Sequence, residues 1–223
     1  MREQNLDRFS DYKNTPKSDY YYLVYKPLIR ELEAAVKKYA KGKVLDIGCG
    51  NKPYEAMFKG LITEYVGCDV VQSSGGKVDV ICEATKITLP DASFDTVFST
   101  QAIEHVADHQ ALVNEAYRLL KPGGHAIISG PMYWHLHEEP YDFFRFTKYG
   151  FQHVLEKAGF KMVEIKANGG KWATLGQVIL HTLPRRLTKY GFLRSMHNRF
   201  FTYLDEKFYN DFNTMNYVVV GKK

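Results

Sequence analysis

Residues 44–50 read Val44-Leu45-Asp46-Ile47-Gly48-Cys49-Gly50, a short apolar run that ends in two glycines one residue apart. Such a run predicts a short buried strand, and Gly48 and Gly50 let the chain turn sharply with no side chain to hold a ligand off the backbone. A dinucleotide fingerprint would continue to a third glycine and straight into a helix that receives a pyrophosphate. Pro53 stands where that glycine belongs, which disfavours a nicotinamide-dependent oxidoreductase. The other half of a nucleoside site is present. Asp69 closes the next strand-like run, 19 positions after Gly50, close to the spacing of about 20 at which a carboxylate takes ribose hydroxyls. A turn for a nucleoside and a carboxylate for its ribose, without a phosphate cradle, favour an adenosyl cofactor that carries no phosphates.

Outward from this loop, strand-like and helical stretches alternate. Residues 43–47, 65–69, 78–81, 96–99 and 125–129 read as strands, and 161–166 and 217–220 as two later ones. Between them, apolar residues recur at helical spacing after Asp108 and after Thr147, both placed to cap a helix. A further helix lies within 20–40, with Pro27 predicting that it begins near that residue and Gly42 that it has ended. Alternation of this kind implies a doubly wound α/β sheet covered on both faces, whose ligands bind beyond the carboxyl ends of the strands.

The whole chain fits one domain of 223 residues, 45% hydrophobic and 25% charged, enough apolar surface for a single sizeable core. Three cysteines (Cys49, Cys68, Cys82) lack the paired spacing of a zinc site and are too few for a disulfide framework. A reducing, cytoplasmic setting is therefore expected. No apolar stretch is long enough to span a membrane, and MREQNLDRFSDYKNT lacks a signal peptide's apolar segment. The net charge of +5 is uneven: residues 1–42 carry +3, 43–166 carry −4, and 167–223 carry +6. Between Glu164 and Asp205 there is no carboxylate. A patch like this attracts phosphates or an anionic surface, or is an ordinary solvated face.

Residues 44–54 (VLDIGCGNKPY), 66–71 (VGCDVV) and 79–129 (DVICEATKITLPDASFDTVFSTQAIEHVADHQALVNEAYRLLKPGGHAIIS) together resemble class I S-adenosylmethionine-dependent methyltransferases of the small bacterial type. The resemblance implies a Rossmann-like seven-stranded sheet, mostly parallel with the last strand antiparallel, which NYVVVGKK at 216–223 matches. It implies S-adenosyl-L-methionine as cofactor. Asp46, Gly48, Cys49 and Gly50 would meet its methionine and ribose portions, Asp69 the ribose hydroxyls and Val70 the adenine. Glu83, followed by Ala84, would stand near the adenine amino group, and Gln101 would line the floor near the sulfonium. Pro53 and Tyr54 depart from the usual pattern. The expected organisation is a single domain: an N-terminal helical cap (1–42), a cofactor-binding core (43–166), a helical insertion over the acceptor pocket (167–216) and a last strand (217–223).

Methyl transfer from a sulfonium is an in-line displacement, so a base is needed only where the acceptor must lose a proton. His105, just after the fourth strand, is one candidate, with packing as its other reading. The second cluster is the loop 131–147, PMYWHLHEEPYDFFRFT, which resembles a string found in a subset of bacterial methyltransferases, some from surface-polysaccharide or secondary-product pathways. Here His137 is the preferred base, and His135 is expected at the acceptor. Arg145 either anchors Asp142 or binds an acidic acceptor. No metal is expected, because two histidines and two glutamates in one loop need none and Glu138 and Glu139 do not easily converge. Tyr21 of the N-terminal helix and Trp172 of the insertion are expected to close the pocket. The expected activity is methyl transfer to a small-molecule or glycan acceptor, with oxygen the methylated atom. The rival is a non-catalytic nucleoside-binding scaffold with a basic interaction tail. Nucleic acid is not expected as a partner; a peripheral membrane contact through the basic 185–199 segment is the tail's alternative use.

Overall fold

The computed structural model describes residues 15–223, so residues 1–14 of the expected cap lie outside the described part. Seven strands form one sheet: β1 (Gly42–Ile47), β2 (Ile62–Asp69), β3 (Val80–Ile81), β4 (Phe94–Thr100), β5 (Leu120–Pro131), β6 (Lys161–Asn168) and β7 (Asn216–Lys222). Their order is β3-β2-β1-β4-β5-β7-β6. β1 to β5 pair in parallel, and β7 runs antiparallel to both β5 and β6. The helices are α1 (Tyr22–Tyr39), α2 (His109–Leu119), α3 (Lys148–Lys157), α4 (Lys171–Thr182), α5 (Arg185–Thr188) and α6 (Gly191–Lys207).

Side chains alternate across the sheet, and so the core divides into two layers. On one face Leu45, Ile47, Val97, Ala126, Ile128 and Val219 meet α2 and α3 through Leu112, Ala116, Leu119, Phe151 and Leu155. On the other, Val44, Phe98, Ile127, Val218 and Val220 meet Leu28, Leu32 and Val36 of α1. Both predicted caps form: the Ala111 amide donates to Asp108 and the Gly150 amide to Thr147, each at 3.0 Å.

The expectation that α1 begins near Pro27 is corrected. The helix starts at Tyr22 with Pro27 inside it, although an interior proline removes one helical hydrogen bond. Tyr22, Leu23 and Val24 are buried with Ala173, Phe201 and Met215, and this packing on the insertion extends the helix backwards past the proline. Strand order reverses between β1 and β4, because the chain leaves β1 toward β2 and leaves β4 toward β5. A crevice opens at their carboxyl ends, and the ligand site of such sheets lies there.

Candidate active site

That crevice is a cleft of about 570 Å³, within the range of small-molecule sites. One half is made by strand ends. Ile47 to Gly50 leave β1, Cys68 to Val71 leave β2, Cys82 to Thr85 follow β3, and Thr100 to Ala102 end β4; all line it. Gly48 has φ +79, and a Cβ there would come within 2.8 Å of the Ala102 side chain. The amides of Gly48 and Cys49 both donate to the Cys68 carbonyl, at 2.9 and 3.1 Å, which pins the loop to β2. Asp69 accepts from the Gly50 amide at 3.0 Å and from the Val70 amide at 2.7 Å, one on each oxygen. Two N–H bonds fix the carboxylate and leave lone pairs for two hydroxyls. Val70, Val71 and Ala84 supply apolar wall beside it. A fixed carboxylate for a diol, flanked by apolar surface and an uncluttered backbone turn, fits an adenosyl group.

Cys49, Gly48, Gly50, Asp69, Val70, Glu83, Ala84 and Gln101, all predicted from the sequence, line this cleft together. Gln101 has φ +51, and its side chain donates to the Ser129 hydroxyl at 3.2 Å. Asp46 differs. It lies behind the wall, 2% exposed, where the Tyr65 hydroxyl donates to it at 2.6 Å. Burial pushes its carboxyl up to about 7, partly offset by the Tyr65 hydrogen bond.

The other half is made by side chains. His105, Val106, Ala107, Asp108, Glu138, Tyr141 and Phe143 line it. His105 donates from Nδ1 to the Tyr141 carbonyl at 2.8 Å, and its Nε2 is 3.9 Å from Glu104 Oε1 and 3.8 Å from Glu138 Oε2. The His137 ring packs edge-on against His105 with centroids 4.7 Å apart. Its Nδ1 lies 3.2 Å from both the His135 carbonyl and Asp142; both are acceptors, so Nδ1 carries the proton. Burial, then the neighbouring His105, holds the His137 pKa below its ordinary value. Of the two histidines proposed from the sequence, His105 is among the residues that line the cleft and His137 is not.

Glu104 was not singled out from the sequence, since Glu-His in a loop gives no sign that the glutamate turns inward. It is 1% exposed, its Oε2 has no hydrogen-bond partner, and burial pushes its carboxyl up to about 8. Arg145 donates to both oxygens of Asp142 at 2.7 and 2.8 Å and to the carbonyls of Trp134, His135 and Phe144. All five guanidinium N–H groups are thereby used. Of its two readings the anchor is the one formed, and the arginine has no donor left for an acidic acceptor. The Asp142 carboxyl is held well below the usual range, chiefly by Arg145. Tyr21, His135 and Trp172 do not line the cleft either. Trp134 stacks between Tyr21, His135 and His181 of α4, with ring centroids 6.0, 4.8 and 5.0 Å away, so the loop is braced against α1 and the insertion. Trp172 packs beside Ala173 and Phe201.

A methyltransferase domain family matches residues 45–128. A probable S-adenosylmethionine-dependent methyltransferase of Mycolicibacterium smegmatis is 32% identical over 96 residues, 40% of this chain and 37% of that protein. The ubiquinone biosynthesis O-methyltransferase of Idiomarina loihiensis is 34% identical over 101 residues, 39% of this chain and 41% of its own length. Phosphoethanolamine N-methyltransferase 3 of Arabidopsis thaliana is 31% identical over 100 residues, 39% of this chain and 20% of the plant protein. The match thus spans about two fifths of the bacterial relatives and a fifth of the plant one. Among solved structures, an S-adenosylmethionine-dependent methyltransferase from Archaeoglobus fulgidus superposes with a TM-score of 0.57 at 20% identity, covering 92% of this chain and 100% of that one.

Proposed function

We propose that residues 45–128, which match a methyltransferase domain family, form a class I S-adenosylmethionine-dependent methyltransferase domain, and that the protein transfers a methyl group to a small acceptor with an oxygen nucleophile. The carrying observation is that the Asp69 carboxylate, fixed by two backbone amides, and His105 line one and the same cleft. The cofactor, when bound, supplies an electrophilic methyl group on a sulfonium. Asp69 would hold its ribose hydroxyls, Val70 and Ala84 would flank its adenine, Glu83 would stand at the adenine edge, and Gln101 would form the floor. Asp46 acts from behind the wall by fixing Tyr65 against β1.

The acceptor would enter at the His105, Glu138 and Tyr141 end. A hydroxyl must shed its proton as it attacks, and the imidazole and carboxylates grouped here support an acceptor of that kind over one already nucleophilic. The His105→Ala variant is expected to lower kcat about 100-fold while S-adenosylhomocysteine binds as before in calorimetric titration. Loss of both together would make His105 a structural residue.

The insertion supports a further contact, with an anionic bilayer. On helix α6 Asn198 faces inward, buried and donating to the carbonyls of Lys17 and Asp19. The helix's outer stripe is apolar, with Phe192 74%, Met196 55% and Phe200 57% exposed. Arg185, Arg186, Lys189 and Arg199, in the same segment of the chain, are exposed as well. Aromatic side chains flanked by cations suit the headgroup boundary of anionic lipid. No helix among the described residues is long and apolar enough to cross a membrane, so the contact would be peripheral. Flotation should recover the protein with vesicles containing phosphatidylglycerol and much less with phosphatidylcholine alone. A Phe192→Ser/Phe200→Ser variant that floats as well as the parent would refute this contact.

A further inference from the structure

We propose that Glu104, His105 and His137 form a binding site for a divalent transition-metal ion at the acceptor end of the cleft. One carboxylate oxygen of Glu104 and one ring nitrogen from each histidine lie within 4.8 Å of one another. Two imidazoles and a carboxylate on one side of an ion, with positions left open, are a donor set that suits zinc, iron, cobalt or manganese.

Two independent observations point to a ligand here. The first is the Glu104 carboxylate. It is 1% exposed, its Oε1 faces His105 Nε2 at 3.9 Å, and its Oε2 has no hydrogen-bond partner. A buried polar atom without a partner is costly unless something supplies one. The second is how the imidazoles are held. His105 gives its Nδ1 proton to the Tyr141 carbonyl, and His137 directs its own at the His135 carbonyl and the buried Asp142 carboxylate. Metal-bound histidines are oriented in this way, the remote N–H fixed by a carbonyl or carboxylate and the other nitrogen presented as a lone pair. Asp142 is itself locked by Arg145, so the support extends a further layer outward.

The loop sequence hid this arrangement because its own paired carboxylates, Glu138 and Glu139, do not complete it. The completing carboxylate comes from the short turn Ile103–His105 after β4. Since His105 and Glu138 line the cleft, an acceptor can reach the open side. An ion held there would bind the acceptor's hydroxyl oxygen and ease its deprotonation, the O–H proton passing to the Glu138 carboxylate at 3.8 Å from His105 Nε2. Cation binding stands by itself, whereas its use in catalysis rests on methyl transfer as proposed above.

The test uses the full chain, stripped with EDTA and dialysed. Titration with Co²⁺ followed by visible absorption, and with Zn²⁺ by calorimetry, should each show one equivalent bound. His137→Gln, checked for native fold by circular dichroism, should weaken binding about 100-fold or more. Asp142→Asn, which touches no ion, should weaken it by about 10- to 100-fold. Glu104→Gln, nearly the same shape as the parent, should do so without loss of fold. Absence of Co²⁺ absorption, or equal affinity in parent and His137→Gln, would overturn the site. S-adenosylhomocysteine titration of the same samples separates the two readings. Metal binding without nucleoside binding would keep the cation site and remove the methyl-transfer assignment; nucleoside binding and turnover in samples that take up neither Co²⁺ nor Zn²⁺ would do the reverse.

Discussion

The two halves of the cleft are built from different materials. The cofactor half is mostly backbone: a glycine turn, two amides on Asp69, and the β4 end with Gln101 in a left-handed conformation. The acceptor half is side chains contributed by a turn after β4 and by the loop that follows β5, braced against α1 and α4. Backbone sites depend on strand ends and on the few residues that tolerate the turn, so they recur wherever the sheet does. Side-chain sites depend on which loops happen to be present. Changes in one half should therefore leave the other intact.

The strongest challenge to that separation is Asp69→Ala. Removing a charged acceptor of two backbone amides and, by proposal, two hydroxyls should weaken S-adenosylhomocysteine about 10- to 100-fold. Unchanged affinity in calorimetric titration would sink the assignment of the cofactor half. The converse is Arg145→Ala. It leaves the buried Asp142 carboxylate without its main partner, and should cost about 2 kcal/mol of stability in urea unfolding, given that the arginine is partly exposed. The acceptor KM should rise while cofactor affinity stays within about twofold. If cofactor affinity collapses too, the halves are one unit.

The last effect, which depends on pH, concerns Asp46. Its folded pKa of about 7 lies above the usual value of about 3.9 for the unfolded chain. The folded state thus binds the extra proton between these values, and this group's contribution to stability declines as pH rises through that window. Between pH 5.5 and pH 8 the parent should lose roughly 2 kcal/mol more than Asp46→Asn. Equal pH dependence of the two urea midpoints would show that the carboxyl is not strained by its burial.

The same division explains what could be read from the sequence. Gly48, Gly50, Asp69 and Gln101 are legible because they sit at fixed offsets from strands whose apolar runs are visible. Asp108 and Thr147 cap the helices they precede for the same local reason. His105 and His137 are both visible in the sequence, but which of them lines the cleft is not, since it depends on which face of a loop is turned to the cleft. Glu104 was hidden because nothing local distinguishes a glutamate that faces inward. Pro27 misplaced the start of α1 because burial of Tyr22, Leu23 and Val24 against residues more than 145 positions later outweighs one lost helical bond.

Arg145 fastens the loop that follows β5 to itself. Every partner of Arg145 lies between Trp134 and Phe144, so this stretch carries its own internal fastening. It behaves as a cassette: exchanging residues 134–145 as a block keeps the fastening intact, whereas exchanging them singly breaks it. Under the proposed methyl transfer, a change of acceptor then proceeds by replacement of the whole loop, with the strand ends that carry Gly48, Asp69 and Gln101 left as they are.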